Sequence, residues 1–389
     1  MAVIVLDKVA DFQLRLLGCL AASGVDPSRV YIIDPTDPNW SLPMNPLAGE
    51  GEPQIRAAAF ASAIRSRSST FGVQIEESMT CMCQALAETG HTPLEIDSLF
   101  SNPVFRREVA GRVTDIYVKR YFEKLEALSK EQRSFWHVST SNKLSPFLSS
   151  RHLRRMLCGR SRLNFRTIID DPKAIVLVAL RGDQLQDGAD LLGELIVSAL
   201  WNAVLSRADL PEAERQPLTI IADEFQNFGQ ACFEKIVAEG RRFKCRLVIA
   251  HQSQSQVGAN LRSLIRNNAA VRVIYNVGPV DAAELSKDFS YWHKPDACSA
   301  LMALKTGEAF VIKRGQQAVK VKTPDVPKAV VDASEIAAYR RECLRINALP
   351  VKDVDFEIET RLAGIESLKN RSVDHFQEVA HVRKPKIGS

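Results

Sequence analysis

Short apolar runs of strand length recur along the chain and alternate with helical patterns. Several runs are apolar throughout, as strands buried on both faces of a sheet must be. Residues 190–204 instead place their Leu, Ile, Val and Ala on one helical stripe. Strands that alternate with helices in this way predict an α/β core with a mainly parallel sheet. The predicted strands span residues 2–6, 30–33, 174–180, 218–222, 246–250, 271–275 and 309–313.

This alternation stops at about residue 53 and resumes after about residue 166. Helical stretches rich in Ala, Glu, Arg and Leu fill the interval, at residues 54–65, 75–88 and 102–128. The pattern predicts an all-helical domain inserted between two strands of the sheet. It divides the chain into a first part of the core (1–52), the inserted domain (53–166), the rest of the core (167–330) and a helical C-terminal tail (331–389).

The tail carries helical patterns at residues 334–346 and 356–369. It ends in the basic residues Arg383, Lys384 and Lys386. We expect this tail to be peripheral and partly disordered, as chain ends often are.

The positive charge of the protein is concentrated in the inserted domain. The whole chain carries a net charge of only +5, whereas residues 101–166 hold fifteen Lys/Arg against five Asp/Glu, a local net charge of +10. Such a segment predicts contact with a polyanion such as nucleic acid, and the alternative is a solvated helical surface. The cations that we select as candidate DNA contacts are Arg106, Arg107, Lys119, Arg120, Arg151, Arg154 and Arg155.

The eight cysteines are scattered, and the seven histidines do not cluster near them. Their spacing fits neither a zinc site nor a disulfide framework, so we expect reduced thiols in a cytoplasm. We find no apolar run of the roughly 20 residues that a membrane span needs. The apolar residues 2–6 are too few for a signal peptide. With 46% hydrophobic and 25% charged residues, the composition is that of a soluble globular protein.

The strongest chemical motif is an apolar strand that ends in two carboxylates, Asp223 and Glu224. This is the Walker B pattern of ATPases with a phosphate-binding loop. In such sites the Asp holds the Mg²⁺ of the nucleotide and the neighbouring Glu orients or polarises the attacking water. The alternative is a strand that ends in a solvated acidic turn.

Two further features follow this motif. Arg241 and Arg242 end the next predicted helix, where an arginine can reach a phosphate across a subunit boundary. Gln252 follows the next strand, where an amide can hydrogen-bond a γ-phosphate or the attacking water. The alternatives are surface salt bridges for the arginines and a loop amide bonded to backbone for Gln252.

Taken together, these segments resemble the TraG/TraD family of conjugative coupling proteins. The similar runs are Asp-Glu-Phe-Gln-Asn-Phe (223–228), Ala-Glu-Gly-Arg-Arg-Phe (238–243) and Ala-His-Gln-Ser-Gln-Ser-Gln (250–256). Further matches are Asp-Pro-Thr-Asp-Pro (34–38), Met-Asn-Pro-Leu (44–47), Asn268, Tyr-Asn-Val-Gly (275–278), Asp281-Ala282 and Gly307-Glu308. The likeness runs in order over residues 2–325.

The resemblance implies a RecA-like P-loop ATPase core, with ATP and Mg²⁺ as cofactors. Asp223 and Glu224 would be the Walker B pair, with Asp223 on the Mg²⁺. Arg241 would be the finger that acts in trans, and Gln252 the sensor. The helical insertion would be the family's all-α domain. The implied partners are DNA, relaxase or relaxosome proteins, a type IV secretion channel and further subunits of a hexameric ring. The implied location is cytoplasmic, peripheral to the bacterial inner membrane.

The departures from the family pattern concern the phosphate-binding loop. The family carries a Gly-rich loop that ends in Gly-Lys-Ser/Thr, and no Gly-Lys dipeptide occurs in this sequence. The first strand leads into Leu-Asp-Lys-Val-Ala-Asp (6–11), where the family usually reads Asp-Pro-x-Gly, and Asn276 is commonly Arg in the family. We expect a truncated or split motor ATPase. The alternatives are a catalytically inactive adapter that binds DNA or relaxase, and an unrelated RecA-like ATPase such as a viral packaging motor.

Overall fold

The computed structural model describes residues 1–68, 70–289, 294–325 and 331–382. The strands of this part are β1 (Ala2–Asp7), β2 (Val30–Ile33), β3 (Trp40–Ser41), β4 (Ile175–Ala179), β5 (Leu218–Ala222), β6 (Cys245–Ile249), β7 (Val271–Ile274), β8 (Glu308–Lys313), β9 (Val319–Lys322) and β10 (Leu349–Pro350).

The helices are α1 (Asp11–Ala22), α2 (Pro53–Arg65), α3 (Val73–Thr89), α4 (Ile96–Ser101), α5 (Pro103–Arg112), α6 (Ile116–Ala127), α7 (Lys130–Leu148), α8 (Arg151–Cys158), α9 (Phe165–Asp170), α10 (Gly182–Leu185), α11 (Asp187–Ser206), α12 (Gln230–Glu239), α13 (Ala259–Asn268), α14 (Pro279–Leu285), α15 (Lys294–Met302), α16 (Ala333–Asn347) and α17 (Val351–Val382).

Five strands form one parallel sheet in the order β2-β4-β1-β5-β6. Its central strand β1 is apolar because it has a neighbouring strand on each side and is covered on both faces. Ile4 and Leu6 accordingly have no solvent exposure. All five predicted strands of this sheet are present, each within one residue of its predicted bounds. The predicted α/β class with a mainly parallel sheet is confirmed.

Two of the predicted strands, β7 and β8, lie outside this sheet. They form a separate antiparallel sheet with β9, in the order β7-β8-β9. Only residues 314–318 link β8 to β9, and so short a link permits antiparallel pairing alone. Gly315 adopts a φ of +74° in this link. The sheet packs on a small core of its own that includes Ile274, Phe289, Leu301, Phe310 and Ile312.

The helical block lies between the second and fourth strands of the chain and runs from α2 to α9. The stretch 102–128, predicted as one helical region, contains two helices. The break occurs because Asp115 caps the start of α6, its carboxylate accepting the backbone N–H of Tyr117 and Val118. Thr114 is also held, since its N–H and hydroxyl both donate to Glu88.

The two C-terminal helices, α16 and α17, pack against the sheet core and the helical block. On α16, Arg340 pairs with Asp34 at 2.9 Å and with Asp37 at 2.6 Å in the loop after β2. On α17, Arg361 pairs with Glu95 of the helical block at 2.7 Å. The segment 333–368 therefore joins the sheet core to the helical block. The basic residues Arg383, Lys384 and Lys386 lie outside the described residues.

One helical segment in the described ranges, Asp187–Asp209, is long and apolar enough to cross a membrane. Two thirds of its most apolar window is buried inside the protein (67%). Leu192, Ile196 and Leu200 have no exposure. The segment consists of α11 and one further turn, and its apolar character is that of a core helix beneath a sheet.

Candidate active site

The carboxylate pair, Asp223 and Glu224, lies at the carboxyl edge of the parallel sheet, directly after β5. The backbone N–H of Asp223 donates to the carbonyl of Leu6 at 3.1 Å and so continues the pairing with β1. Glu224 then turns sharply, with a φ of +50° in the left-handed region. Non-glycine residues adopt this conformation rarely, and they do so mostly in turns and functional sites. The turn directs the chain into the helix that follows.

Buried aromatic rings fix the turn after Glu224. Phe225 and Phe228 have no exposure. Phe225 meets the ring of Phe233 on α12 edge-on, with centroids 5.3 Å apart, and meets His251 in the same way at 5.5 Å. Burial lowers the pKa of His251, so its imidazole packs as a neutral group. These contacts hold the segments after β5 and β6 against one another.

The structure brings Gln252 to Glu224. The amide nitrogen of Gln252 donates to Glu224 Oε1 at 2.8 Å. A second amide, that of Gln226, donates to Glu224 Oε2 at 2.7 Å. Each carboxylate oxygen is therefore held by one amide donor, which fixes the orientation of the group. Sequence reasoning predicted Gln252 for this edge of the sheet but missed Gln226, whose position two residues after Glu224 was the available signal.

Asp7 and Lys8, at the end of the neighbouring strand β1, are engaged elsewhere. The carboxylate of Asp7 is buried and accepts the N–H groups of Val9, Ala10 and Gln13, which caps the start of α1. The ammonium of Lys8 pairs with Asp190 on α11 at 2.7 Å. Both side chains therefore have partners outside the carboxylate pair.

Asp223 carries a negative charge without a cationic partner among the described residues. One of its oxygens accepts the N–H of Glu224 at 3.1 Å. Partial burial raises the pKa of Asp223, and the charges of Glu224 and Asp7 raise it further. An exposed carboxylate with excess local negative charge fits an Mg²⁺ ion that arrives with a nucleotide. Within the described ranges, no group of three or more His, Cys, Asp or Glu side chains could hold a metal ion alone.

Arg241 and Arg242 lie at the opposite edge of the sheet from the carboxylate pair. They occupy the short 3-10 helix Gly240–Phe243, which leads into the amino end of β6. Both side chains are exposed. Arg242 also pairs with Glu239 at 3.5 Å and lies over the ring of Phe243. The five residues of β6 span about 16 Å between the amino edge of the sheet, where Arg241 lies, and the carboxyl edge, where Glu224 lies. The structure therefore does not bring Arg241 to Glu224 within one chain.

The candidate DNA contacts fall into two groups. Arg107, Lys119, Arg120 and Arg151 are exposed, and Arg154 is half-buried. Arg106 is 1% exposed and binds Glu126 and the carbonyls of Leu99 and Phe100, while Arg155 is 8% exposed and pairs with Asp355. The guanidinium groups of these two residues serve the protein interior, so we do not retain them as DNA contacts.

The comparisons by sequence found one distant relative. No protein-family model matches the chain. An uncharacterised protein of Mycoplasma pneumoniae (strain ATCC 29342 / M129 / Subtype 1) is 27% identical over 128 residues, which are 32% of this chain and 82% of that protein.

Among solved structures, the bacterial conjugative coupling protein TrwBdeltaN70 in its unbound monoclinic form matches with a TM-score of 0.56 at 18% identity, over 84% of this chain and 79% of its own. The plasmid coupling protein TrwB in complex with ADP and Mg²⁺ matches with a TM-score of 0.55 at 17% identity, over 84% of this chain and 86% of its own. VirB4 of Thermoanaerobacter pseudethanolicus matches with a TM-score of 0.50 at 15% identity, over 84% of this chain and 89% of its own. At these identities the likeness confirms the predicted RecA-like fold.

The raised pKa of Asp223 predicts how the stability of the protein depends on pH. An acid with a raised pKa in the folded state stabilises the fold when protonated, and this contribution is lost as the pH rises through the folded pKa. We therefore expect Asp223→Asn to raise the melting temperature at pH 7. The gain should shrink below about pH 4, where the unfolded carboxyl is also protonated. Asp325→Asn, at an exposed residue, is the control. It should change the melting temperature by the same amount at pH 7 and below pH 4. A lower melting temperature for Asp223→Asn at pH 7 would contradict the account.

Proposed function

We propose that this chain is the motor part of an ATPase similar to type IV secretion coupling proteins, which recruits and translocates DNA or nucleoprotein to a secretion channel. The observation that carries the proposal is the contact between Glu224 and Gln252 at the carboxyl edge of a RecA-like sheet. Open α/β sheets bind their ligands at this edge. The fold neighbours include a coupling protein in complex with ADP and Mg²⁺, which supports the choice of cofactors.

We assign a different task to each residue of the carboxylate pair. Asp223 would hold Mg²⁺ through its exposed carboxylate. When bound, the metal ion neutralises charge that develops on the phosphates. Glu224 keeps lone pairs beyond those used by its two amide donors, so it can accept a hydrogen bond from a water molecule and orient it. Gln252 touches Glu224 directly, so a change at the γ-phosphate can pass through this amide to the loop after β6.

That loop is joined to the second sheet through Asp281. The carboxylate of Asp281 accepts the N–H of Gln254 at 3.2 Å and the hydroxyl of Ser253 at 3.4 Å. Asp281 lies on α14, which packs with α15 beside the antiparallel sheet. A movement of Gln252 would therefore be transmitted from the carboxylate pair to this sheet. We propose that this connection couples hydrolysis to movement of the DNA-bound assembly.

We assign Arg241 to the neighbouring subunit's site. Its position at the amino edge of β6 is too far from Glu224 of the same chain, and its guanidinium is exposed. A head-to-tail ring brings the amino edge of one subunit to the carboxyl edge of the next. We propose a hexamer, held at the cytoplasmic side of the bacterial inner membrane by the secretion channel, with relaxase or relaxosome proteins as further partners.

A second function is favoured by the lack of a Gly-Lys dipeptide in the sequence. Without the loop amides and the lysine, a nucleotide's β- and γ-phosphates have no cradle beside Asp223. The chain would then act as a catalytically inactive adapter that binds DNA or relaxase. ATP hydrolysis by the chain after a phosphate-binding loop has been fused to it separates this function from the first one.

We expect the chain alone to hydrolyse ATP at background rate, because its sequence contains no Gly-Lys dipeptide with which a phosphate-binding loop would end. Fusion of an amino-terminal strand and Gly-x4-Gly-Lys-Thr loop should produce turnover that Glu224→Gln and Arg241→Ala each abolish. Arg242→Ala is the matched control and should retain it. Mixing the Arg241→Ala protein with an Asp223→Ala, Glu224→Gln protein should restore part of the activity at mixed interfaces. Activity of the unfused chain that Glu224→Gln removes would refute the account, and no recovery after confirmed subunit exchange would refute the role in trans.

We expect the full chain to bind duplex DNA without sequence preference through the exposed cations of the helical block. Neutralised phosphates release counterions, so log affinity should fall by about 0.9 per contact for each unit of log salt. Replacing four exposed cations by Ala should lower this slope by about 2 to 4 units. These cations are Arg107, Lys119, Arg120 and Arg151.

The matched control replaces four exposed cations elsewhere by Ala, namely Arg15, Lys235, Arg341 and Lys352. Fluorescence anisotropy between low and moderate salt measures both proteins. An unchanged slope after the first replacement, or an equal loss after the control replacement, would contradict DNA binding by the helical block.

A further inference from the structure

The turn that carries Arg241 is tied to the sheet through its backbone. The carbonyl of Arg241 accepts the N–H of Lys244 at 3.0 Å, and the carbonyl of Lys244 accepts the N–H of Leu218 on β5 at 3.1 Å. Lys244 has a φ of +54°, a left-handed conformation that is uncommon for residues other than glycine. The chain therefore enters β6 through a tight, bonded turn, and Arg241 lies near the start of it.

Arg215, in the loop before β5, binds the same turn. Its Nη1 donates to the carbonyl of Arg242 at 2.7 Å, and its Nη2 donates to the carbonyl of Leu210 at 2.8 Å. Its guanidinium group also lies over the ring of Phe243, at 5.0 Å from the centroid. The donors of a guanidinium group form a rigid, planar fork, so the group holds the two carbonyls in one relative position. Arg215 thus fixes the residue next to Arg241.

A second arginine supports the turn from the interior. Arg207 has no exposure, and its Nη1 donates to the carbonyl of Phe243 at 3.4 Å. Its Nε pairs with Asp170, the last residue of α9, at 2.9 Å. The ring of Phe243 is buried and meets Trp201 on α11 edge-on, with centroids 6.1 Å apart. Two arginines and one buried ring therefore hold the backbone beside Arg241.

The side chain of Arg241 has no comparable support. It is exposed, and within the described ranges it makes no hydrogen bond and no ion pair. The backbone of the turn therefore decides which positions its guanidinium group can reach. A group that acts on a neighbouring subunit's phosphate depends on such placement, because a misplacement of about 1 Å can lower a rate roughly a hundredfold.

The charges around the turn also favour an anion as its partner. Arg215 donates to carbonyls and has no acidic partner among the described residues, and Arg242 lies over the same ring, that of Phe243. Glu239 pairs with Arg242 and balances one of these charges. Like charges this close repel one another, and an anion beside them relieves the repulsion. The phosphates of a nucleotide are such an anion.

We propose that Arg215 is a positioning residue for Arg241. By bridging the carbonyls of Leu210 and Arg242, it fixes the turn in the conformation from which Arg241 reaches the neighbouring subunit's nucleotide. This inference rests on the proposed function and adds the residue that controls the placement of the finger in trans. Arg215 itself acts through the backbone and contacts no substrate.

The first test uses the full chain and limited digestion with trypsin, which cleaves after Arg241 or Arg242 only where the backbone can open. Arg215→Ala should raise the rate of cleavage at this turn at least about tenfold, because the bridge is lost. Arg215→Lys keeps the charge without the fork and should also raise the rate, which preserves the test if the alanine variant does not fold. Arg133→Ala is the matched control and should leave this rate unchanged, since Arg133 also binds carbonyls, but at the end of α6. An unchanged rate in both Arg215 variants would overturn the inference.

The second test separates positioning from a loss of stability, in the protein with the fused phosphate-binding loop. Arg215→Ala should lower turnover at least about tenfold and leave the affinity for ATP unchanged. Mixing it with the Asp223→Ala, Glu224→Gln protein should restore part of the activity. Mixing it with the Arg241→Ala protein should not, because neither subunit then supplies a placed finger. A merely destabilised protein would still lend its own Arg241, so recovery in the second mixture would refute the positioning role.

The two tests distinguish this inference from the proposed function. Turnover that persists in Arg241→Ala, or a fused protein without any turnover, refutes the proposed function and the catalytic role of the turn with it. Turnover that is lost in Arg241→Ala but kept in Arg215→Ala refutes the positioning role alone. In each case the tryptic cleavage rate still shows whether Arg215 holds the turn.

Discussion

A strand inside a parallel sheet has a neighbouring strand on each side and is covered on both faces, and this constraint shapes the sheet core of the molecule. Strands β4, β1 and β5 satisfy it, since each has two neighbours and an apolar sequence that is largely buried. The helical block and helix α11 supply much of the apolar core that surrounds them. Among the described strands, β2 and β6 pair on one side only, and on β6 Val248 also remains exposed.

The candidate active site follows from the same constraint. Parallel strands bring their carboxyl ends to one edge, so Glu224 after β5 and Gln252 after β6 meet there although they are 28 residues apart in the sequence. The buried rings around Phe225 hold the left-handed turn at Glu224. Arg241 belongs to the amino edge of the same sheet. One topology therefore keeps the carboxylates and the amide together and makes the arginine available to a neighbouring subunit.

Much of this arrangement could be predicted from the sequence, because buried parallel strands are apolar runs of fixed length. The strand bounds and the edge position of Asp223, Glu224 and Gln252 followed from local pattern. Charge counting could not distinguish Arg106 and Arg155 from surface cations, because their partners, Glu126 and Asp355, are 20 and 200 residues away. The antiparallel pairing of β8 depended on the short link to β9, and apolar runs do not specify the direction of pairing.

The central claim is that β6, beside the carboxylate pair, has an outer edge with which no described strand pairs, and hydrogen exchange of the β6 amides tests this most directly. In the chain alone, the account predicts slow exchange at Arg246, Val248 and Ala250, whose N–H groups face β5, and fast exchange at Cys245, Leu247 and Ile249, whose N–H groups face outwards. Mass spectrometry with fragmentation or NMR resolves these alternate residues. Equal, strong protection of all six amides would show that β6 is already paired on both sides and would contradict the account.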